Sequence, residues 1–212
     1  MIATLDHVQK RFKGKRVLED VALQIKEGEI VGVIGGNGSG KTTILRMLAG
    51  LMYADQGETT VHGKKINTGE FPGNIGLLIE TPRFIERLTG MENLKMLAGI
   101  QNKIDEPRIR ETMKHFFLDP DLKDPVKTYS LGMNQRLGLV QAFMEEPKLL
   151  LLDEPTNALD EKSRQRFEEV LLEARSKGAS AVIVSHHQDE IARLCDRVYL
   201  IEEGTLKEVT GQ

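Results

Sequence analysis

A single cysteine, Cys195, stands among the 212 residues, so no internal disulfide can staple the chain. No Cys/His cluster has the spacing of a zinc site, and one lone thiol is read most simply as the mark of a reducing, cytoplasmic compartment. Basic charge is not in excess. The 29 Lys and Arg face 32 Asp and Glu, for a net charge of −3, so no nucleic-acid partner and no anionic membrane surface is expected from composition. No apolar stretch approaches the roughly 20 residues needed to cross a bilayer. The opening Met1-Ile2-Ala3-Thr4-Leu5-Asp6 has neither the basic start nor the apolar run of a signal peptide. If the chain works at a membrane, another chain must supply the membrane. Internal repeats, low-complexity tracts and Pro/Gly/Ser-rich linkers are also missing. With 40% apolar and 29% charged residues the chain is neither disordered nor fibrous, and its length suits one large domain, or one domain with an insert.

Short β-type runs occur at Val21–Ile25, Ile30–Ile34, Ile75–Ile79, Leu149–Asp153, Ala181–Ser185 and Val198–Glu202. Several are almost continuously apolar, as strands covered on both faces must be. Helical patterns at Lys41–Leu51 and Glu161–Lys177 lie between them, each with a glycine stop, Gly50 and Gly178. This alternation predicts an α/β fold with a mostly parallel sheet. The first 30 residues and Thr59–Ile66 instead alternate between glycine-containing turns, which predicts a small antiparallel β subdomain. From 82 to 146 strand signals fade. Met91–Ile100, Glu106–Phe117 and Asn134–Glu145 read as helices, with Asp105 as a cap. The expected organisation is therefore a single domain over 1–212, with 1–81 and 147–212 as the α/β core and 82–146 as an inserted helical subdomain.

Gly35-Gly36-Asn37-Gly38-Ser39-Gly40-Lys41-Thr42 matches the phosphate-binding pattern G-x-x-x-x-G-K-[ST]. It lies between an expected strand and an expected helix, the context the chemistry requires. Four glycines let backbone N–H groups turn inward as an anion nest, and the helix N-terminus adds positive potential. Lys41 supplies a charge for the β- and γ-phosphates, and Thr42 a hydroxyl for Mg²⁺. Leu149-Leu150-Leu151-Leu152-Asp153-Glu154 buries a strand and ends it in two carboxylates. Ligands in such sheets bind at the carboxyl ends of the strands. Asp153 is thus expected to hold Mg²⁺ through its water shell. Glu154 is expected to act as the base or to position the attacking water.

A P-loop alone allows a kinase, a GTPase, a helicase or a transporter ATPase. The residues beyond it resemble the ATP-binding subunits of ABC transporters, P-loop NTPases with a RecA-like core. The likeness is carried by Gly35–Thr43, Tyr129-Ser130-Leu131-Gly132-Met133-Asn134-Gln135-Arg136, Leu149–Asp160, Val184-Ser185-His186 and Leu194-Cys195-Asp196-Arg197-Val198. It implies ATP and Mg²⁺ as cofactors and a head-to-tail dimer, of identical or paralogous copies, with ATP sandwiched between them. It also implies a separate integral membrane permease and a place on the cytoplasmic face of the cell membrane. On this resemblance Gly35, Asn37, Gly38, Ser39, Gly40, Lys41, Thr42 and Thr43 bind nucleotide. Ser130, Gly132 and Met133 fall in the signature turn that touches the partner's ATP, and Asp160 falls in the D-loop at the dimer contact. His186 falls at the switch position, with His187 beside it expected to face elsewhere. Phe12 falls where an aromatic ring stacks on adenine. Plainer readings remain beside these: a core position for Phe12, and helix caps for Ser130 and Asp160.

Two motifs depart from the family pattern. The signature usually reads Leu-Ser-Gly-Gly-Gln, and here Leu131 and Met133 replace the first glycine and the glutamine. Glu80 stands where the Q-loop has glutamine. A carboxylate there can serve the metal and join Thr42 and Asp153 as a ligand, but it donates nothing when ionised. Its plainer reading is a surface glutamate with no role. The block Ile79-Glu80-Thr81-Pro82-Arg83-Phe84, with Leu88-Thr89 and Glu92-Asn93-Leu94, resembles the subgroup serving bacitracin resistance and lantibiotic self-immunity. That resemblance implies export of antimicrobial peptides. The alternatives are another exported substrate, or an ABC-type ATPase acting on ribosomes or DNA.

Overall fold

In the computed structural model, which describes residues 1–66, 69, 71–186 and 188–209, two sheets carry the strands. Strands β1 (Ala3–Phe12), β2 (Lys15–Ile25), β4 (Gln56–Val61) and β5 (Lys64–Lys65) form an antiparallel sheet in the order β2-β1-β4-β5. Strands β3 (Ile30–Ile34), β6 (Ile75–Leu78), β7 (Leu149–Asp153), β8 (Ser180–Val184), β9 (Arg197–Glu202) and β10 (Thr205–Val209) form the second, in the order β10-β9-β3-β8-β7-β6. All neighbours in it are parallel except the terminal β9–β10 hairpin. Helices α1 (Lys41–Leu48), α2 (Gly90–Gln101), α3 (Glu106–His115), α4 (Leu131–Phe143), α5 (Glu161–Ser176) and α6 (Gln188–Leu194) complete the fold, α2 to α4 falling between β6 and β7.

The apolar runs of the central strands are divided between two cores by the two-residue period of a strand. Leu150 and Leu152 of β7 and Ala181 and Ile183 of β8 pack in one core with α4, α5 and α6. Leu149, Leu151, Val182 and Val184 pack in the other, with α1 and the antiparallel sheet. Each fully buried aliphatic side chain contributes about 1.5–3 kcal/mol, so coverage of both faces fixes this strand order firmly. The helices between β6 and β7 are fastened to α5 by rings. Phe116 meets Phe143 at 5.5 Å between centroids, and Phe143 meets Phe167 edge-on at 6.3 Å.

The expected α/β architecture with a small antiparallel sheet is present, and four local readings are corrected. Helix α1 ends at Leu48, and Gly50 stands beyond it at φ 70°. Helix α4 begins at Leu131, not Asn134, because the Ser130 side chain accepts the Met133 N–H and so starts the helix three residues earlier. Helix α6 and strand β10 were not anticipated. β10 is closed onto β9 by a two-residue turn with Glu203 at φ 47° and Gly204 at φ 78°, the left-handed pair that suits a hairpin. Among the described residues no helix is long and apolar enough to cross a membrane.

Candidate nucleotide site

The register of the parallel sheet brings three strand ends together. Val33 of β3 pairs with Val184 of β8, and Val184 pairs with Asp153 of β7. The loop after β3, the carboxylates at the end of β7 and His186 just past β8 therefore meet at one edge. A cleft of about 410 Å³ there is lined by Asn37, Gly38, Lys41, Thr42, Glu80, Asp153 and Glu154, together with Leu131, Gln135, Asn157 and Ala158.

Gly35 to Gly40 wrap the N-terminus of α1. Gly40 sits at φ 111°, where a side chain would be strained and would meet Leu18 at 2.8 Å. Lys41 is buried, and its Nζ donates to the carbonyls of Gly35 at 2.7 Å and Gly36 at 2.9 Å. The ammonium is thus folded over its own loop, within reach of any phosphate that enters it. The hydroxyl of Ser39 is buried without a hydrogen-bond partner, an orphan pointing to a missing polar group. Thr43 follows Thr42 on the first turn of α1 and is half-buried.

Thr42 Oγ1 donates to Asp153 Oδ2 at 2.7 Å. Burial pushes the Asp153 carboxyl above the usual carboxylate range; the Thr42 bond and Lys41 oppose that push, and Glu154 and Glu80 add to it. A cation would relieve it. The donors facing the cleft are a hydroxyl and carboxylates, all oxygen, as a hard divalent cation requires. Among the described residues no cluster of three metal-binding side chains forms a cage.

Glu154 stands at φ 48°, so the chain turns sharply as it leaves β7. Its Oε2 lies 2.8 Å from His186 Nδ1, and its N–H donates to Val184 O at 2.8 Å. Glu80, also left-handed at φ 57°, is exposed and ion-paired with Arg46 of α1 at 2.6 Å.

The signature residues sit at the start of α4. Ser130 is exposed and caps the helix, while its own O–H remains available to a second acceptor. Met133 packs beside the helical core rather than into the cleft, which Leu131 lines instead. Gly132 abuts the D-loop, where an added Cβ would come within 2.8 Å of Ala158 O. Asp160 caps α5 by accepting the Ser163 N–H at 2.8 Å, and the Ser163 side chain, followed by that N–H, holds its carboxyl below the usual range. Phe12, at the end of β1, is 41% exposed, which rules out the core alternative; Lys10 lies 5.7 Å from its ring. His187 falls outside the described residues. Two contacts carried no sequence signal of their own. One is Arg46 to Glu80. The other is the buried Gln135, whose amide donates to Glu154 O at 3.1 Å and Pro155 O at 3.0 Å.

Comparison with known proteins accords with this geometry. The ABC transporter family profile matches residues 18–157. YdbJ of Bacillus subtilis, an uncharacterized ABC transporter ATP-binding protein, is 40% identical over 97% of this chain and 68% of its own length. The bacitracin transport ATP-binding protein BcrA of Bacillus licheniformis is 37% identical over 98% of this chain and 69% of its own length. A dimeric ATP-binding cassette in a post-hydrolysis state, bound to ADP and Pi, superposes with a TM-score of 0.90 at 26% identity, covering 99% of both chains. With its P-loop, acidic strand end and capped signature helix in this arrangement, the chain belongs to the ABC transporter family as an ATP-binding subunit.

Proposed function

We propose that this chain hydrolyses Mg-ATP at a site completed by a second copy, and so drives a separate membrane permease that exports antimicrobial peptides. The observation that carries the reading is the pairing of Thr42 with Asp153 at 2.7 Å beside the pairing of Glu154 with His186 at 2.8 Å. One pair suits a cation and the other suits water attack, at the same strand ends. Gly35, Asn37, Gly38, Ser39, Gly40 and Thr43 cradle the phosphates, Lys41 binds the β- and γ-phosphates, and Phe12 offers its exposed ring to adenine. Thr42 and Asp153, with Glu80, hold Mg²⁺, which when bound neutralises phosphate charge.

Glu154 takes the proton of the attacking water as its oxygen bonds the γ-phosphorus and the bond to ADP breaks. His186 orients that carboxylate through Nδ1. Ser130 and Gly132, with Met133 beside them, close on the nucleotide held by the partner, and Asp160 lies at the dimer contact. Closure expels water from a site that one copy leaves open. The segment 82–146, with Glu80 at its entrance, passes the cycle to the permease on the cytoplasmic face. The dimeric form of the structural relative bound to ADP and Pi supports the shared site, and the name of the bacitracin relative supports the substrate class.

Reconstitution with its membrane permease tests the reading. Phosphate release should require Mg²⁺, stop in Lys41→Ala, and rise with bacitracin-type peptides. Release that is indifferent to Mg²⁺ and to Lys41 contradicts the ATPase reading; release indifferent to every such peptide contradicts the substrate class.

A further inference from the structure

We propose that Gln135 is a positioning residue that couples the two nucleotide sites of the dimer. It ties the turn that meets the partner's nucleotide to the loop that carries this chain's own Glu154. The inference rests on the head-to-tail reading above. Gln135 is 7% exposed and lies one turn into α4 from Ser130. Its Nε2 donates both amide hydrogens, to Glu154 O at 3.1 Å and Pro155 O at 3.0 Å. Those carbonyls belong to the sharp turn that Glu154 makes at φ 48°, just past the end of β7, where Glu154 O also accepts the Asn157 N–H at 3.2 Å.

A second contact fixes the same two segments. Gly132 packs so closely on Ala158 O that an added Cβ would come within 2.8 Å of it, and Ala158 is itself left-handed at φ 61°. A third reaches the loop of Glu80. Asn134 Nδ2 donates to Pro82 O at 3.0 Å, and an added Cβ on Gly138 would meet the Pro82 ring at 2.4 Å. The first two turns of α4 are thus fastened to both loops whose carboxylates face the cleft. Ser130 and Gly132 serve the partner's nucleotide, whereas Glu154 and Glu80 serve the chain's own. A shift of Glu154 as its own site fills therefore carries the signature turn with it, unless the buried amide bonds of Gln135 break. Two sites joined through such packed and hydrogen-bonded segments respond together.

The test compares the full chain with Gln135→Met, which keeps the length and removes the donor. Gln135→Glu, isosteric and polar but without a donor when ionised, serves if the methionine variant does not fold. Binding of a fluorescent ATP analogue to the dilute single chain should stay within about twofold. Turnover should fall by about tenfold, within the usual range of coupling effects, and its Hill coefficient should drop from between 1 and 2 to 1. A merely structural role would lower the amount of folded protein without changing that coefficient. If a folded variant keeps the parent's turnover and Hill coefficient, the coupling role is overturned while the shared site stands. A parent that shows no cooperativity and forms no dimer with ATP overturns the shared site, and the coupling with it.

Discussion

His186 Nδ1 stands 2.8 Å from Glu154 Oε2, although 32 positions separate the two residues. The register of β7 against β8 makes the contact: Asp153 pairs with Val184, so the residues just past each strand end are neighbours. The sharp turn at Glu154 then presents its carboxylate to the imidazole. His186→Ala should therefore bind ATP as the parent does and turn it over about 10²-fold more slowly, the scale of loss when a catalytic group is left misplaced. Nucleotide titration and phosphate release under the same conditions separate the two effects. Parental turnover would remove His186 from the mechanism.

The Arg46–Glu80 pair predicts a different split. Both side chains are substantially exposed, 37% and 62%, so the ion pair contributes little to stability. Glu80→Gln should unfold within about 0.5 kcal/mol of the parent and keep its ATP affinity. The variant loses a negative oxygen at the cation site, so half-maximal turnover should need more Mg²⁺. Transport or resistance through the permease should change as well. Unchanged metal demand and unchanged transport together would show that Glu80 has no special role.

Cys195 offers a pH prediction away from the cleft. Its Sγ lies beneath β3, 3.0 Å from where a Cβ on Gly32 would stand. Burial first, then Asp196 and Glu190, push the thiol up to about 12. The folded form therefore binds this proton more tightly than the unfolded form. That stability is present below the ordinary thiol range and is lost as pH rises through about 12. At pH 9 about one folded thiol in a thousand is thiolate, against about half in the unfolded chain. Iodoacetamide should leave the folded protein unlabelled at that pH and label it readily in guanidinium. Equal labelling rates would contradict the burial of this thiol.

What was legible in the sequence was local. The P-loop and the run Leu149–Asp153 are contiguous, and their chemistry follows from neighbouring residues. The nearly continuous apolar strands announced a sheet covered on both faces, and the two cores divide their residues by alternation. The start of α4 was misplaced because Leu131-Gly132 looks like loop, whereas the Ser130 cap overrides the low helix propensity of Gly132. Helix α6 has only seven residues, and β10 alternates polar residues at a sheet edge, so neither presents a strong period. The hydrogen bonds of Gln135 and the pairing of Arg46 with Glu80 join residues 19, 20 and 34 positions apart. Such contacts exist only once the sheet has set the loops side by side.

The account turns on a nucleotide held by one copy and finished by another, and Glu154→Gln reports on it most directly. Sedimentation of this variant should give a dimer with saturating Mg-ATP and a single chain with Mg-ADP. Adding Ser130→Arg, which fills the meeting surface, should keep the chain single in both. A Glu154→Gln chain that binds Mg-ATP and yet stays single, alone and beside its permease, would contradict the shared site.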